Sequence, residues 1–127
     1  MLNLQTKTLA VNKSPETLKQ HLANPQVLAS YLPDQVTHTQ SDADELSFQI
    51  MGGTLLRLKP KFESNTLIYV VDGKIEFQLA FDIRQGATDQ QALVTIEAQG
   101  QLNPMMEMMV KKPLSQFIDQ MLTKVSG

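Results

Sequence analysis

The sequence predicts an α+β fold in which a curved antiparallel β-sheet of about six to seven strands is covered by one long C-terminal helix. Three observations support this: apolar and polar residues alternate over much of residues 35–98, turn residues separate these stretches, and residues 103–125 have helical periodicity. A sheet with one apolar face must cover that face, and the closing helix is the only large element available. We therefore expect it to lie across the concave side.

The N-terminal segment predicts one strand followed by two short helices. Leu2–Val11 alternates imperfectly, because its apolar residues change parity halfway, which indicates a strand with a bulge. Ser14-Pro15-Glu16 provides an N-cap, a proline at the first helical position and an acid in the first turn, and Asn24-Pro25 repeats the cap and the proline. We expect helices over roughly residues 15–22 and 25–31.

The central segments alternate clearly enough to predict which faces are apolar. Odd-numbered positions from Ile75 to Ile83 are all apolar, which makes this the clearest strand of the chain. Leu46–Ile50 and Ala92–Ala98 alternate in the same way at even-numbered positions. Each of these segments is therefore expected to turn one face toward the core.

Turn residues predict the register of the hairpin that precedes Ile75. Asp72-Gly73 is a strong two-residue signal, since both central positions of a type I′ turn need positive φ. Such a turn would direct Ile68 and Val70 to the core and leave an apolar stripe of Leu67, Tyr69 and Val71 on the outer face. An exposed stripe of this kind indicates a dimer contact or burial under other strands.

The Gly52-Gly53 turn can be treated in the same way. A two-residue loop would put Arg57 and Lys59 on the core face, so a three-residue loop, Gly52 to Thr54, fits the hydrophobic pattern better. It would bring Leu56 opposite Ile50 and Leu58 opposite Phe48, and it would send the basic residues to solvent. A further turn is expected at Ser64-Asn65.

The C-terminal helix is expected to have two unlike halves. Asn103 is a favourable N-cap, and Pro104 follows it at a position where a missing N–H is harmless. The second half is amphipathic, but the apolar residues of Met105–Val110 surround the first half, so more than one side of it must avoid water. Pro113 predicts a kink near Lys112. The methionines either fill the core or line a space whose contents vary.

Composition favours one globular domain, residues 1–127, and excludes several function classes. The chain is 42% hydrophobic and 19% charged with net charge −2, and its lysines and arginines are scattered, which argues against a nucleic-acid partner. It has no cysteine, so it forms no disulfide or thiolate metal site. Residues 1–12 contain no signal-peptide run, and no stretch approaches the ~20 apolar residues of a membrane span. We expect a cytoplasmic protein without stable membrane insertion.

The titratable residues show no catalytic or metal-binding pattern. His21 and His38 stand apart, with no His-x-x-x-His spacing and no carboxylate cluster. The serines lack a Gly-x-Ser-x-Gly elbow, and Gly52-Gly53 joins two strands without opening a helix, so neither a catalytic triad nor a phosphate loop is supported. The sequence therefore predicts no metal site and no cofactor, and it identifies no catalytic residue.

Several strings have a familiar spacing: Ser14-Pro15-Glu16-Thr17, Asn24-Pro25 before Tyr31-Leu32-Pro33, Gly52-Gly53, and Leu102-Asn103-Pro104-Met105-Met106 before Lys112-Pro113-Leu114 and Phe117-Ile118. With the order of the elements, they resemble the START/SRPBCC superfamily, the Bet v 1-like or helix-grip fold, and within it the small bacterial SRPBCC proteins. The resemblance covers essentially the whole chain. It implies a cavity between sheet and helix that holds lipids, sterols, polyketides or other apolar molecules. Some members are cyclases or dehydratases, and others only bind or carry. Many carry a Trp before the second strand, where this chain has Tyr31.

Three hypotheses of function follow. The first is a module that binds or carries a hydrophobic small molecule between sheet and helix. The second is a polyketide cyclase or dehydratase, which needs an inward acid or base. The third is a protein-interaction module, co-chaperone-like, with a filled core and an exposed stripe around Tyr69; a homodimer is a further option. The candidate ligand-binding residues are Tyr31, Phe48, Ile50, Leu56, Leu58, Ile68, Val70, Ile75, Phe77, Leu79, Phe81, Met105, Met106, Met109 and Phe117.

Overall fold

The computed structural model describes residues 1–34, 36–50, 54–63, 66–73 and 75–126. Within these residues, strands and helices follow one another in the predicted order. The strands are β1 (Leu2–Gln5), β2 (Leu9–Val11), β3 (Thr37–Ser41), β4 (Leu46–Ile50), β5 (Thr54–Glu63), β6 (Thr66–Gly73), β7 (Phe77–Gln85) and β8 (Ala92–Gly100). The helices are α1 (Pro15–Leu22), α2 (Pro25–Ala29) and α3 (Pro104–Ser126).

The strands form one antiparallel sheet of eight strands in the order β1-β8-β7-β6-β5-β4-β3, with β2 also paired to β8. The sheet has more strands than predicted because the N-terminal strand is divided. Gln5 pairs with Glu97 whereas Leu9 pairs with Val94, so the register shifts by one residue between β1 and β2. The predicted bulge is confirmed.

The short helices begin where their caps predict. The Ser14 side chain accepts a hydrogen bond from the Thr17 N–H at 3.3 Å, and Asn24 Oδ1 accepts one from the Gln26 N–H at 3.0 Å. These bonds satisfy N–H groups that have no partner within a first helical turn. α1 has the predicted bounds, whereas α2 ends at Ala29, earlier than the predicted residue 31.

α3 also begins as predicted. Asn103 Oδ1 accepts a hydrogen bond from the Met106 N–H at 2.8 Å. The helix then continues to Ser126 with Pro113 inside it, and the kink expected near Lys112 stays a prediction.

One face of α3 packs on the concave side of the sheet, mainly against β8, β2 and β1. The Phe117 ring stacks on that of Phe48 in β4, with centroids 5.4 Å apart and planes at 16°. The side chains that α3 buries are Val110, Leu114, Phe117, Ile118, Met121, Leu122 and Val125. Their three-to-four spacing makes this stripe the cover that the sheet requires.

The predicted register of the β6–β7 hairpin is wrong. Val71 pairs with Phe77, so residues 72–76 connect the paired segments in place of a two-residue turn at Asp72-Gly73. Because successive strand residues point to opposite faces, the change reverses the expected faces of β6. Its buried residues are Leu67, Tyr69 and Val71, and the apolar residues on its outer side, Ile68 and Val70, are half-buried.

Pairing with β5 explains why Asp72-Gly73 does not form the tight turn. Asp72 Oδ1 accepts a hydrogen bond from Arg57 Nε at 3.0 Å, and Gly73 pairs with Leu56. Gly73 has φ 134°, and a Cβ there would lie 2.6 Å from the Leu55 carbonyl oxygen. Glycine is therefore required at this position because β5 and β6 approach closely there. The local sequence alone does not reveal this contact.

The β4–β5 hairpin has the predicted faces but a different register. Phe48 pairs with Leu56, and Leu46 pairs with Leu58, so the expected pairings of Leu56 with Ile50 and of Leu58 with Phe48 are wrong. The faces are nevertheless as expected. Leu56 pairs with a residue two positions away from the expected one along β4, and residues two positions apart in a strand point to the same face. The turn residues Gly52-Gly53 and Ser64-Asn65, and Lys74 in the next connection, lie outside the described residues.

We expect Asn103→Ala to lower the free energy of unfolding by about 0.5–2 kcal/mol, because the Met106 N–H loses its side-chain acceptor. Urea unfolding followed by circular dichroism measures the change. Asn103→Ser keeps an oxygen able to cap the helix and should stay close to wild type. Equal losses in the two variants would exclude a capping role.

Candidate functional site

The predicted ligand-binding residues divide by location. Most lie in one buried cluster between the sheet and α3, to which β4, β5, the β6–β7 connection, β7 and α3 contribute. These are Phe48, Ile50, Leu56, Leu58, Ile75, Phe77, Leu79, Phe81 and Phe117. Tyr31 and Met106 are half-buried and pack against this cluster.

The other predicted residues lie elsewhere. Ile68 and Val70 are on the outer side of the sheet, as the corrected β6 register requires. Met105 and Met109 are exposed to solvent on α3. The expectation that these four residues face the interior is therefore wrong.

Four large side chains between the sheet and the helix are closely packed. Phe48, Leu58, Phe81 and Met121 are 0% exposed. A void large enough for water would expose the side chains that line it, so atoms of other residues surround these four on all sides. The stacked rings of Phe48 and Phe117 add to this packing. Side chains therefore fill the part of the interior that these residues occupy.

Tyr69 supplies a buried hydroxyl to this interior. It is buried, its hydroxyl donates a hydrogen bond to the Leu22 carbonyl at the end of α1, and its ring meets Phe81 edge-on with centroids 6.0 Å apart. Burial raises the pKa of Tyr69 above its ordinary value, because the charged form loses its hydration. The predicted exposed stripe around Tyr69 is therefore wrong, and this residue anchors α1 to the sheet.

The outer face of the first half of α3 exposes three large apolar side chains. Met105, Met108 and Met109 are 73%, 82% and 64% exposed. Their spacing of three and four residues places them together on the side of the helix away from buried Val110. We call Met105, Met108 and Met109 the methionine surface.

A shallow groove of about 500 Å³ lies between β1 and α3, next to the methionine surface. Its lining residues are Leu4, Met108, Lys111, Lys112, Ser115 and Gln116. Lys111 and Lys112 are exposed, and no carboxylate in the part of the chain that the structure describes pairs with them. Glu107, the acid of the first turn, is engaged by the Met1 ammonium at 2.9 Å. The groove is thus apolar with a positive rim, although the whole chain carries −2.

The histidines lie away from this groove in sequence and fold. His21 is in α1 and His38 in β3, and both are exposed. Among the described residues, no three histidine, aspartate or glutamate side chains come together as a metal site would require. The same residues contain no helix long and apolar enough to cross a membrane.

Met108, Lys111 and Lys112 are not among the site residues that the sequence predicts. A signal was present, because Lys111 and Lys112 follow Met108 by three and four residues and therefore share a helix face with it. The contribution of Leu4 had no such signal, since it depends on where β1 lies beside α3.

The sequence matches no family model and no curated protein. Solved structures nevertheless share the fold over nearly the whole chain. A START superfamily protein from Mycobacterium smegmatis is 12% identical with a TM-score of 0.64, and the match covers 97% of this chain and 96% of that one. XoxI from Bacillus cereus is 11% identical with a TM-score of 0.74, covering 99% and 94%. A subunit of the Aha1 dimer from Colwellia psychrerythraea is 16% identical with a TM-score of 0.66, covering 99% and 94%.

We expect Tyr69→Phe to lower the free energy of unfolding by ~1–3 kcal/mol near neutral pH, because the buried Leu22 carbonyl loses a hydrogen bond. Chemical denaturation measures this value. Tyr31→Phe is the matched control: Tyr31 is half-buried and should change stability little. A similar loss in both variants would contradict the role of the Tyr69 hydroxyl.

The pKa of Tyr69 predicts a further difference at alkaline pH. Because its folded-state pKa is raised, the stabilisation is fully present below the unfolded value near 10.0 and is lost as the pH rises through the folded value. Wild type should therefore lose stability more steeply above about pH 10 than Tyr69→Phe does. Parallel pH profiles for the two proteins would show that Tyr69 does not titrate in this way.

Proposed function

We propose that this chain, which has a START/SRPBCC-like helix-grip fold, is a non-enzymatic module that binds a partner protein through the methionine surface. The observation that carries the proposal is the exposure of Met105, Met108 and Met109 on one side of α3. Apolar area is favourably removed from water, so neighbouring exposed apolar side chains indicate an occupant supplied by another molecule.

Methionine is suited to this role. Its unbranched side chain and polarisable sulfur adapt to surfaces of different shape, which is why it is frequent at adaptable binding sites. An apolar centre with a charged rim, here Lys111 and Lys112, is also the usual organisation of a protein interface.

The cyclase or dehydratase alternative is less well supported. It needs an inward acid or base that changes protonation near the working pH. Tyr69 is the titratable side chain among the buried residues that the structure describes, and its raised pKa keeps it neutral in that range. For this reason we favour binding over catalysis.

A carrier of a hydrophobic small molecule is the second candidate. It is favoured by the gathering of most predicted binding residues in one cluster between sheet and helix. A ligand between Phe48 and Phe117 would have to separate their stacked rings, so α3 would move away from β4. This requirement makes the carrier hypothesis weaker than the interaction hypothesis.

Native mass spectrometry of protein purified from its host distinguishes the candidates. We expect the mass of the free chain and no apolar compound after solvent extraction, because side chains occupy the part of the interior around Phe48 and Phe117. A stoichiometric co-purifying compound that Phe48→Trp expels would favour the carrier hypothesis. Protein refolded after extraction serves as the reference mass.

The interaction hypothesis predicts a complex in the host. Wild type should elute in size-exclusion chromatography of a fresh lysate ahead of the purified chain, and the double variant Met108→Glu, Met109→Glu should elute with the purified chain. Two carboxylates pressed against an apolar partner would lose their hydration without compensation. Circular dichroism checks that the variant is folded.

Thr123→Glu is the matched control for this experiment. Thr123 is an exposed position of α3 outside the methionine surface, so this variant should keep the complex. If wild type elutes with the purified chain, or if Thr123→Glu also releases the complex, the interaction hypothesis is wrong.

A further inference from the structure

The charges beside the methionine surface restrict the kind of partner. Lys111 and Lys112 line the same groove as Leu4 and Met108, and neither lysine pairs with a carboxylate in the described part of the chain. Glu107 does not offset them, because the Met1 ammonium already engages it. Unpaired positive charge is therefore concentrated next to exposed apolar side chains.

The shape of this region favours an extended partner over a small molecule. The groove is open to solvent, whereas small-molecule sites bury most of their ligand. From Met105 to Lys112 the helix rises by about 10 Å, at 1.5 Å per residue, so a partner that touches both must be elongated. One face of a helix has this shape.

We propose that the partner segment is an acidic amphipathic helix that lies along the first half of α3. Its apolar side chains contact the methionine surface and enter the groove beside Leu4, and its carboxylates meet Lys111 and Lys112. The lysine stems extend the apolar contact while their ammonium groups stay at the rim. This inference rests on the proposed function and names the chemistry of the partner.

Two other occupants fit the charges less well. A second copy of the chain would bring the same positive rim near itself across a two-fold axis, and like charges disfavour that arrangement. An anionic membrane would attract the two lysines. However, the whole chain carries −2, and the methionine surface has no aromatic side chain of the kind that anchors interfacial helices.

Titration of the isotope-labelled protein with designed peptides tests the proposal by NMR. The probe is a helical peptide of about 14 residues, some four turns, with leucine and phenylalanine on one face and glutamates along its edges. One control peptide has lysine at every glutamate, and another has serine at every apolar position. The acidic apolar peptide should shift the amide signals of the groove residues and bind at least about tenfold tighter than either control. The signals concerned are those of Met108, Lys111, Lys112, Ser115 and Gln116.

Variants separate the two components of binding. The double variant Lys111→Glu, Lys112→Glu should lower the affinity for the acidic peptide by about tenfold or more and raise the affinity for the lysine peptide. Lys59→Glu, at an exposed position of β5 on the outer face of the sheet, is the control and should leave both affinities unchanged.

The outcomes also identify the alternatives. Three results would contradict the proposal of an acidic helix: equal affinity for the acidic and basic peptides, no binding of any peptide, or signal shifts confined to residues outside the groove. Binding of phosphatidylglycerol vesicles through these residues, or self-association abolished by Met108→Glu, overturns it in favour of a membrane or a second copy. The complex in the host is measured separately by size-exclusion chromatography. If the complex is present but the peptides fail to bind, the proposed function holds and only the acidic helix is wrong. If the complex is absent, the proposed function is wrong.

Discussion

The packing of α3 against the concave face of the sheet is the constraint on which the rest of the structure depends. The sheet has one apolar face, and the stripe of α3 that starts at Val110 covers it, with Phe117 stacked on Phe48. Once this stripe is in place, the helix turn before Val110 directs Met105, Met108 and Met109 away from the sheet, while Met106 packs against the core. The exposure of Met105, Met108 and Met109 is therefore a geometric consequence of how the core is closed.

Local chemistry made most of the fold predictable. Caps and first-position prolines determine where helices begin within a few residues, and strand alternation identifies a buried face without knowledge of the partner strand. The β6 faces could not be obtained in this way. Asp72-Gly73 satisfies the local rule for a tight turn, but pairing with β5 extends β6 through Gly73. The two strands approach closely at Gly73 because this residue has no Cβ.

The candidate site was predictable only in part for a related reason. Periodicity shows that Met105–Val110 is apolar on several sides, but it does not show where the helix axis lies relative to the sheet. That position decides that Met106 is half-buried against the core while Met105 and Met109 face solvent. The interior residues were easier to assign, because strand parity relates them directly to the concave face.

Fold stability gives no reason for methionine at these exposed positions. Glutamate, glutamine, lysine and arginine have nearly the same helix propensity as methionine, so a polar residue would support α3 equally well and leave less apolar area in water. The side chains at Met105, Met108 and Met109 make the helix less soluble without adding to the packed stripe on its other side. Their exposure is the reason we propose contact with another molecule there, and the lysines beside them are the reason we propose an acidic one.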